Sequence, residues 1–171
     1  MGMQAEQRRQ AILETLYQAK QAVSATALAE KFSVSRQVIV GDVALLRASG
    51  AAISATPRGY IIRDAAPGAL RQVACIHDAD GMEAELNAIV DNGCTVVDVT
   101  VEHGIYGQLT GSLQLSSRYD VQQFLLRSRS AGARPLSDLT GGIHLHTISC
   151  PDEAAFARVQ EELRRRGFLL E

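Results

Sequence analysis

Residues 141–147 read Gly-Gly-Ile-His-Leu-His-Thr, and this stretch constrains the fold more than any other part of the sequence. Ile143 and Thr147 are strand formers, so the segment is predicted to be extended. Side chains in a strand alternate between its two faces, which places His144 and His146 on one face. Two imidazoles on one face can chelate a divalent metal ion, but a protein metal site needs more than two ligands. Further ligands must therefore come from elsewhere in the chain.

The composition is that of an ordinary globular protein. The chain has 171 residues, of which 46% are hydrophobic and 5% aromatic, enough for one compact domain or two small ones. We expect a cytoplasmic protein with no membrane partner, because the amino-terminal segment is polar and no apolar run is long enough to cross a bilayer. Cys75, Cys94 and Cys150 lack Cys-x-x-Cys spacing, which favours reduced thiols over disulfides.

The charge is divided between the two ends of the chain. Residues 1–63 carry eight basic and four acidic side chains, whereas residues 64–171 carry nine basic and fifteen acidic ones. A Pro-Gly pair in residues 64–68 follows an apolar run and is typical of a domain boundary. The sequence thus predicts two modules with different partners, residues 1–63 and residues 69–171.

The first module is predicted to contain three helices. Residues 4–20 form an amphipathic helix, and Ser24 caps a short second one. A tight turn at Ser33 follows, and Ser35 caps a third helix that ends near Gly50. The buried stripe of this third helix is predicted at Ile39, Val43 and Leu46.

Two helices joined by a short turn form the arrangement in which the second helix enters the major groove of DNA. That helix opens with Arg36 and Gln37, and these side-chain types make paired hydrogen bonds to guanine and adenine. Residues 51–62 then predict a basic hairpin, the wing of a winged helix, with Arg58 at its tip. The predicted DNA contacts are Ser35, Arg36, Gln37, Arg47, Thr56 and Arg58.

Other interpretations of this module stay open. It could be a three-helix protein-interaction module whose arginines are merely solvated. Gly41 lies in the middle of the third helix, where glycine costs roughly 1 kcal/mol relative to alanine. A close approach to DNA or to another helix would explain this glycine, and so would simple tolerance.

The second module is predicted to be an α+β sandwich with helices on one face of a mixed sheet. On the apolar face of its second strand we expect Val97, Val99, Val101 and His103. The elements are predicted in this order: strand 71–77, helix 80–93, strands 95–103 and 106–115 as a hairpin, helix 117–132, the His-x-His strand, helix 152–167 and a closing edge strand 168–170.

His77 ends the first of these strands, and Glu85 lies in the first turns of the helix that follows it. Together with His144 and His146 they make a first shell of three imidazoles and one carboxylate, suited to zinc, nickel, iron(II) or manganese. Such a set leaves one or two positions open for water or an anionic ligand. Each residue could instead be a hydrogen-bonded or surface side chain.

Three other side chains are candidates near this site. Cys75 and Cys150 share strand parity with His77 and His146, so either thiol could be a ligand or simply a small buried side chain. His103, beside a hairpin turn and Tyr106, could serve a ligand pocket or be a satisfied core histidine.

The order of motifs resembles the NiaR transcriptional repressors of niacin uptake and NAD synthesis, over essentially the whole chain. The residues that carry the resemblance are Val34–Val40, Ala44–Arg47, Thr56–Tyr60, His77, Val97–His103, Tyr106-Gly107 and Gly141–Thr147.

The resemblance implies a winged helix-turn-helix joined to a three-histidine (3H) ligand domain. It implies a homodimer that binds operator DNA and represses when nicotinic acid is bound, without enzymatic activity. It also implies a metal at positions matching His77, Glu85, His144 and His146, with His103 and Tyr106 near the effector.

Two competing functions follow from the same histidines. A cupin-type metalloenzyme also uses His-x-His, but its Glu normally follows the pair by a few residues, where Cys150 and Pro151 stand here. A winged-helix regulator could also sense the metal itself.

Overall fold

A computed structural model describes residues 3–62 and 68–171, which form two compact units on either side of residues 63–67. The predicted boundary at residues 64–68 lies outside the described residues except for Gly68. In the part of the chain that is described, no helix is long and apolar enough to cross a bilayer.

The first unit contains three helices and a hairpin. The helices are α1 (Ala5–Gln18), α2 (Ala25–Phe32) and α3 (Arg36–Ala48). The hairpin consists of β1 (Ile53–Thr56) and β2 (Gly59–Ile62), which pair antiparallel. This is the predicted order of a winged helix-turn-helix.

Local capping explains where α2 and α3 begin. The Ser24 hydroxyl accepts a hydrogen bond from Ala27 N–H at 3.0 Å, and the Ser35 hydroxyl accepts one from Val38 N–H at 3.2 Å. Ser33, with φ of 54°, makes the left-handed turn between the two helices. Both predicted caps and the turn are confirmed, as is the buried stripe of Ile39, Val43 and Leu46.

An ion pair that the sequence did not predict fastens α1 to α3. Arg8 donates from Nε to Asp42 Oδ2 at 2.6 Å and from Nη2 to Oδ1 at 3.3 Å. Asp42 is only 4% exposed, and its carboxylate also raises the pKa of Arg8. The pair therefore fixes the helix that is predicted to meet DNA against the rest of its unit.

We expect Asp42→Asn to lower the free energy of unfolding of the first unit by about 1–3 kcal/mol, because Arg8 would lose a charged acceptor. Glu14→Gln, an exposed position on α1, is the matched control and should leave stability unchanged. Chemical denaturation measures both. Equal stability of the two variants would show that the ion pair does not fasten the helices.

The second unit has the predicted alternation of strands and helices, and its class is α+β. Two short 3₁₀ turns, Ala79–Gly81 and Leu136–Thr140, precede α4 and β6. Its regular elements are β3 (Ala69–Ile76), α4 (Met82–Asp91), β4 (Thr95–His103), β5 (Gly107–Leu115), α5 (Arg118–Ser130), β6 (Ile143–Cys150) and α6 (Glu153–Arg165).

The sheet has the strand order β3-β6-β4-β5, and every adjacent pair is antiparallel. The prediction of a mixed sheet was therefore wrong. The connection through α4 makes β3 and β4 parallel, but β6 lies between them and runs opposite to both. The helices cover one face of this sheet with a core that includes Leu86, Ile89, Val121, Val159 and Leu163.

A β-bulge corrects the predicted face of β4. The register shifts between Val96 and Asp98, so Val97 is an extra residue in the ladder. Val96, not Val97, pairs with Ile148 and is fully buried. From Val99 onward the register has no further shift, but burial does not follow the predicted alternation, because Thr100 on the predicted polar face is buried and Val99 is only partly buried.

The predicted closing edge strand is reduced to a short pairing with β3. Leu169 forms an isolated antiparallel bridge with Cys75. Leu170 N–H donates to the Ala74 carbonyl at 2.9 Å, and Ile76 N–H donates to the Phe168 carbonyl at 2.8 Å. The part of β3 that carries Cys75 therefore has a paired backbone on both sides.

Candidate metal centre

Three elements bring the four predicted metal ligands together. His77 directly follows β3, Glu85 lies in the first turns of α4, and His144 and His146 lie on β6. The side chains of all four are between 1% and 5% exposed. Residues far apart in the sequence thus meet in one buried cluster, between the sheet and α4.

The Glu85 carboxylate is the centre of this cluster. Its Oε2 contacts Nε2 of His77, and its Oε1 lies 2.9 Å from Nε2 of His144 and 3.3 Å from Nε2 of His146. Two atoms that each lie about 2.1 Å from one tetrahedral metal ion are about 3.4 Å apart. The separations on Oε1 are therefore close to those between ligands of a single ion.

The other ring nitrogen of each histidine is held by a backbone carbonyl. Each Nδ1–H donates to that carbonyl, an assignment that follows from the hydrogen-bond network. This tautomer leaves the Nε2 lone pair free for a metal, as in known metal sites. The pairs are His77 with Asp78 O at 2.6 Å, His144 with Gly142 O at 2.9 Å and His146 with Asp98 O at 2.8 Å.

Sequence reasoning identified the four side chains but not these carbonyls. The bulge at Val97 brings the Asp98 carbonyl to His146, and a bulge leaves no reliable signal in a single sequence. Of the three carbonyls, only that of Gly142 lies in a feature visible in the sequence, the Gly-Gly pair before the His-x-His strand.

Burial and charge act in opposite directions on this cluster. Burial alone would raise the pKa of Glu85, but His146, His144 and His77 outweigh it and hold that pKa well below its ordinary value. Burial would lower the pKa of His77 and of His146, but Glu85 raises both. The buried carboxylate is therefore ionised and requires positive charge beside it, from protons or from a metal ion.

These shifts predict how the metal-free protein responds to pH. A raised histidine pKa contributes stability that is present below about 6.5 and is lost as pH rises through the folded-state value. The lowered pKa of Glu85 contributes stability that is lost only in acid. We therefore expect the metal-free wild type to exceed Glu85→Gln in melting temperature by more at pH 6 than at pH 8. A difference that did not change with pH would contradict this assignment.

Gly142 allows β6 to approach His77 closely. Its φ is +95°, and a Cβ there would lie 2.3 Å from the His77 carbonyl oxygen. Its own carbonyl accepts from His144 Nδ1. Glycine at this position thus sets the relative placement of His77 and His144.

We expect Gly142→Ala to destabilise the second unit and to move His77 away from Glu85, since the added methyl overlaps the His77 carbonyl. The control is Gly141→Ala, where φ is +63° and no described atom lies within 4 Å of the new Cβ. That variant should lose only about 1–2 kcal/mol, the cost of the left-handed conformation. Chemical denaturation of both variants measures the difference, and equal losses would contradict the close approach.

The two cysteines considered as ligands have different surroundings. Cys150 Sγ lies 2.7 Å from Cys94 Sγ. Cys75 Sγ instead belongs to a trio with Glu85 and His144, whose potential ligand atoms all lie within 4.8 Å of one another. Burial is the larger cause that raises the pKa of the Cys75 thiol, and the nearby Glu85 carboxylate raises it further.

His103 and Tyr106 lie at the β4–β5 turn and contact each other there. His103 Nδ1 accepts from the backbone N–H of Ile105 at 3.1 Å and of Tyr106 at 3.3 Å. The two rings stack with centroids 5.1 Å apart, and Tyr106 is 72% exposed. Their predicted role at the effector stays a prediction.

The predicted DNA contacts lie on α3 and the hairpin of the first unit. Arg36, Gln37 and Arg47 are exposed on α3, and Ser35 caps it. Thr56 braces the hairpin turn, because its hydroxyl donates to the Gly59 carbonyl at 2.8 Å and accepts from Arg58 N–H at 3.2 Å.

The fold is that of a DNA-binding regulator with a separate second domain. An HTH domain matches residues 8–61, and a 3H domain matches residues 70–171. The chain is 44% identical to the probable transcription repressor NiaR of Thermotoga maritima, over 97% of this chain and 95% of that protein. It is 42% identical to the transcription repressor NadR of Bacillus subtilis, over 95% and 93% of the two chains.

The chain therefore belongs to the NiaR-type family of transcription repressors. It is a DNA-binding repressor and not an enzyme, which removes the cupin-type alternative.

Proposed function

We propose that this protein represses genes of niacin uptake and NAD biosynthesis, with nicotinic acid as the co-repressor. In this proposal the effector binds at a divalent metal ion held by His77, Glu85, His144 and His146, and the protein acts as a homodimer on its operator. One observation carries the proposal. Three imidazole Nε2 atoms converge on one buried carboxylate while each Nδ1 is held by a backbone carbonyl.

A metal ion suits this cluster better than protons alone. Once the imidazoles are neutral, with each Nδ1–H held by a carbonyl, their Nε2 lone pairs point toward the Glu85 carboxylate, and a cation between them removes the repulsion. The donor set of three nitrogens and one carboxylate fits zinc, nickel, iron(II) or manganese. When bound, the ion would supply a positive charge with a position open to an anion.

The carboxylate of nicotinate is suited to that open position. Because the ligand side chains are almost fully buried, attraction between an anion and the metal would be weakly screened by water. Nicotinamide has the same ring but no charge, so it should bind far more weakly. We propose His103 and Tyr106 as contacts of the pyridine ring.

Effector binding would reach DNA through the geometry of a dimer. Two recognition helices enter successive major grooves only when they lie about 34 Å apart, or a multiple of that distance. A small change in the placement of the DNA-binding units would therefore change operator affinity considerably. In this protein, the surface that would enter the major groove is the exposed side of α3.

We expect Arg36→Ala to weaken operator binding by about 1–3 kcal/mol, because Arg36 is predicted to bond a guanine edge. Arg127→Ala removes the same charge from an exposed position on α5 of the second unit and should have no effect. Gel shifts with a promoter fragment that the wild type binds measure both variants against excess competitor DNA. Equal operator affinities of the two variants would show that Arg36 on α3 does not contact an operator base.

We expect nicotinate, but not nicotinamide, to tighten operator binding, and we expect prior metal removal by a chelator to abolish the effect. Gel shifts on the protein's own promoter region test this, and calorimetry gives the affinities of acid and amide for the metal-loaded protein. Equal binding of acid and amide would contradict a carboxylate bound to metal. Operator binding that responds to metal removal but ignores nicotinate would instead indicate a repressor that senses the metal itself.

A further inference from the structure

We propose that Cys75 is an additional, sulfur ligand of the metal ion held by Glu85 and the three histidines. This inference rests on the metal site proposed above. It would turn a centre of nitrogen and oxygen donors into one that also carries a thiolate.

Strand pairing places Cys75 at the site. Cys75 and His144 are directly opposite each other in the β3–β6 ladder, so their side chains leave the sheet on the same face. Leu169 pairs with Cys75 on the other side of β3, which fixes the backbone of β3 at this point. The thiol position is therefore set by the sheet and not by a flexible loop.

Distance and burial make the thiol a usable ligand. Its Sγ, a Glu85 carboxylate oxygen and a His144 nitrogen lie within 4.8 Å of one another. Tetrahedral ligands with bonds of about 2.1 and 2.3 Å lie about 3.6 Å apart, so the three atoms would have to close by at most about 1.2 Å around an ion. Cys75 and Glu85 are at most 1% exposed, which leaves little access for a competing water molecule.

The other two thiols do not share this arrangement. Cys94 and Cys150 are equally buried but contact each other through their sulfur atoms. Cys75 Sγ instead lies within 4.8 Å of a carboxylate oxygen of Glu85, the residue that all three histidines contact. An ordinary core cysteine would pack only against apolar groups, whereas this one also faces the polar cluster.

Coordination by Cys75 would have a defined chemical balance. The S–H bond breaks, a metal–sulfur bond forms, and the proton passes to solvent, with no change of oxidation state. A thiolate is a soft donor, so the site would favour zinc, cobalt or nickel over manganese.

Cobalt(II) is the probe that tests this inference, because a cobalt–thiolate bond gives an intense charge-transfer absorption in the near ultraviolet. Metal-free full-length protein is titrated with cobalt(II) without oxygen, and the spectrum and the bound stoichiometry are recorded together. We expect one cobalt per chain and the thiolate band in the wild type. We expect Cys75→Ser to lose the band and Cys94→Ser to keep it.

A second variant makes the test independent of whether Cys75→Ser folds. In the double variant Cys94→Ser with Cys150→Ser, Cys75 is the only thiol, so a band there must come from Cys75. Cobalt bound without a thiolate band in the wild type, or a band that survives in Cys75→Ser, would overturn the sulfur ligand and leave the metal site intact. Failure of the wild type to bind cobalt at all would overturn both.

Discussion

A buried carboxylate surrounded by three imidazoles is the interaction on which the rest of the second unit depends. An isolated charge costs a great deal of free energy in a protein interior, so Glu85, at 1% exposure, is acceptable only with positive charge beside it. The histidines supply this charge as imidazolium ions, or they hold a cation that does. In the proposed function, the same requirement would let the cluster act as a sensor, because metal and ligand would change what neutralises Glu85.

The fold fixes the positions of the histidines around Glu85 through strand register and backbone hydrogen bonds. The β3–β6 register puts Cys75 opposite His144 and Val73 opposite His146, which directs both histidines toward α4. The bulge in β4 supplies a carbonyl to His146, and Gly142 supplies one to His144. Rigid backbone partners of this kind orient metal ligands and fix their tautomers.

Much of this could be predicted from the sequence because it depends on local patterns. Serine caps, the apolar stripe of α3 and the alternation of the His-x-His strand are all set by neighbouring residues. The antiparallel sheet, the bulge at Val97 and the pairing of Arg8 with Asp42 depend on contacts between distant segments, and no local pattern reveals them. For Gly41 the structure settles only part of the question that the sequence left open. No described atom lies within 4 Å of a Cβ added at this position, so packing within its own unit does not require glycine there.

The central claim is that four side chains bind one metal ion, and elemental analysis tests it most directly. Wild-type protein is loaded with zinc, dialysed extensively and compared with Glu85→Gln and with Glu83→Gln, a control on the same helix whose carboxylate accepts from Gln122. The account predicts one zinc per chain in the wild type and in Glu83→Gln, and almost none in Glu85→Gln. No zinc in the wild type, or the same amount in all three proteins, would contradict it.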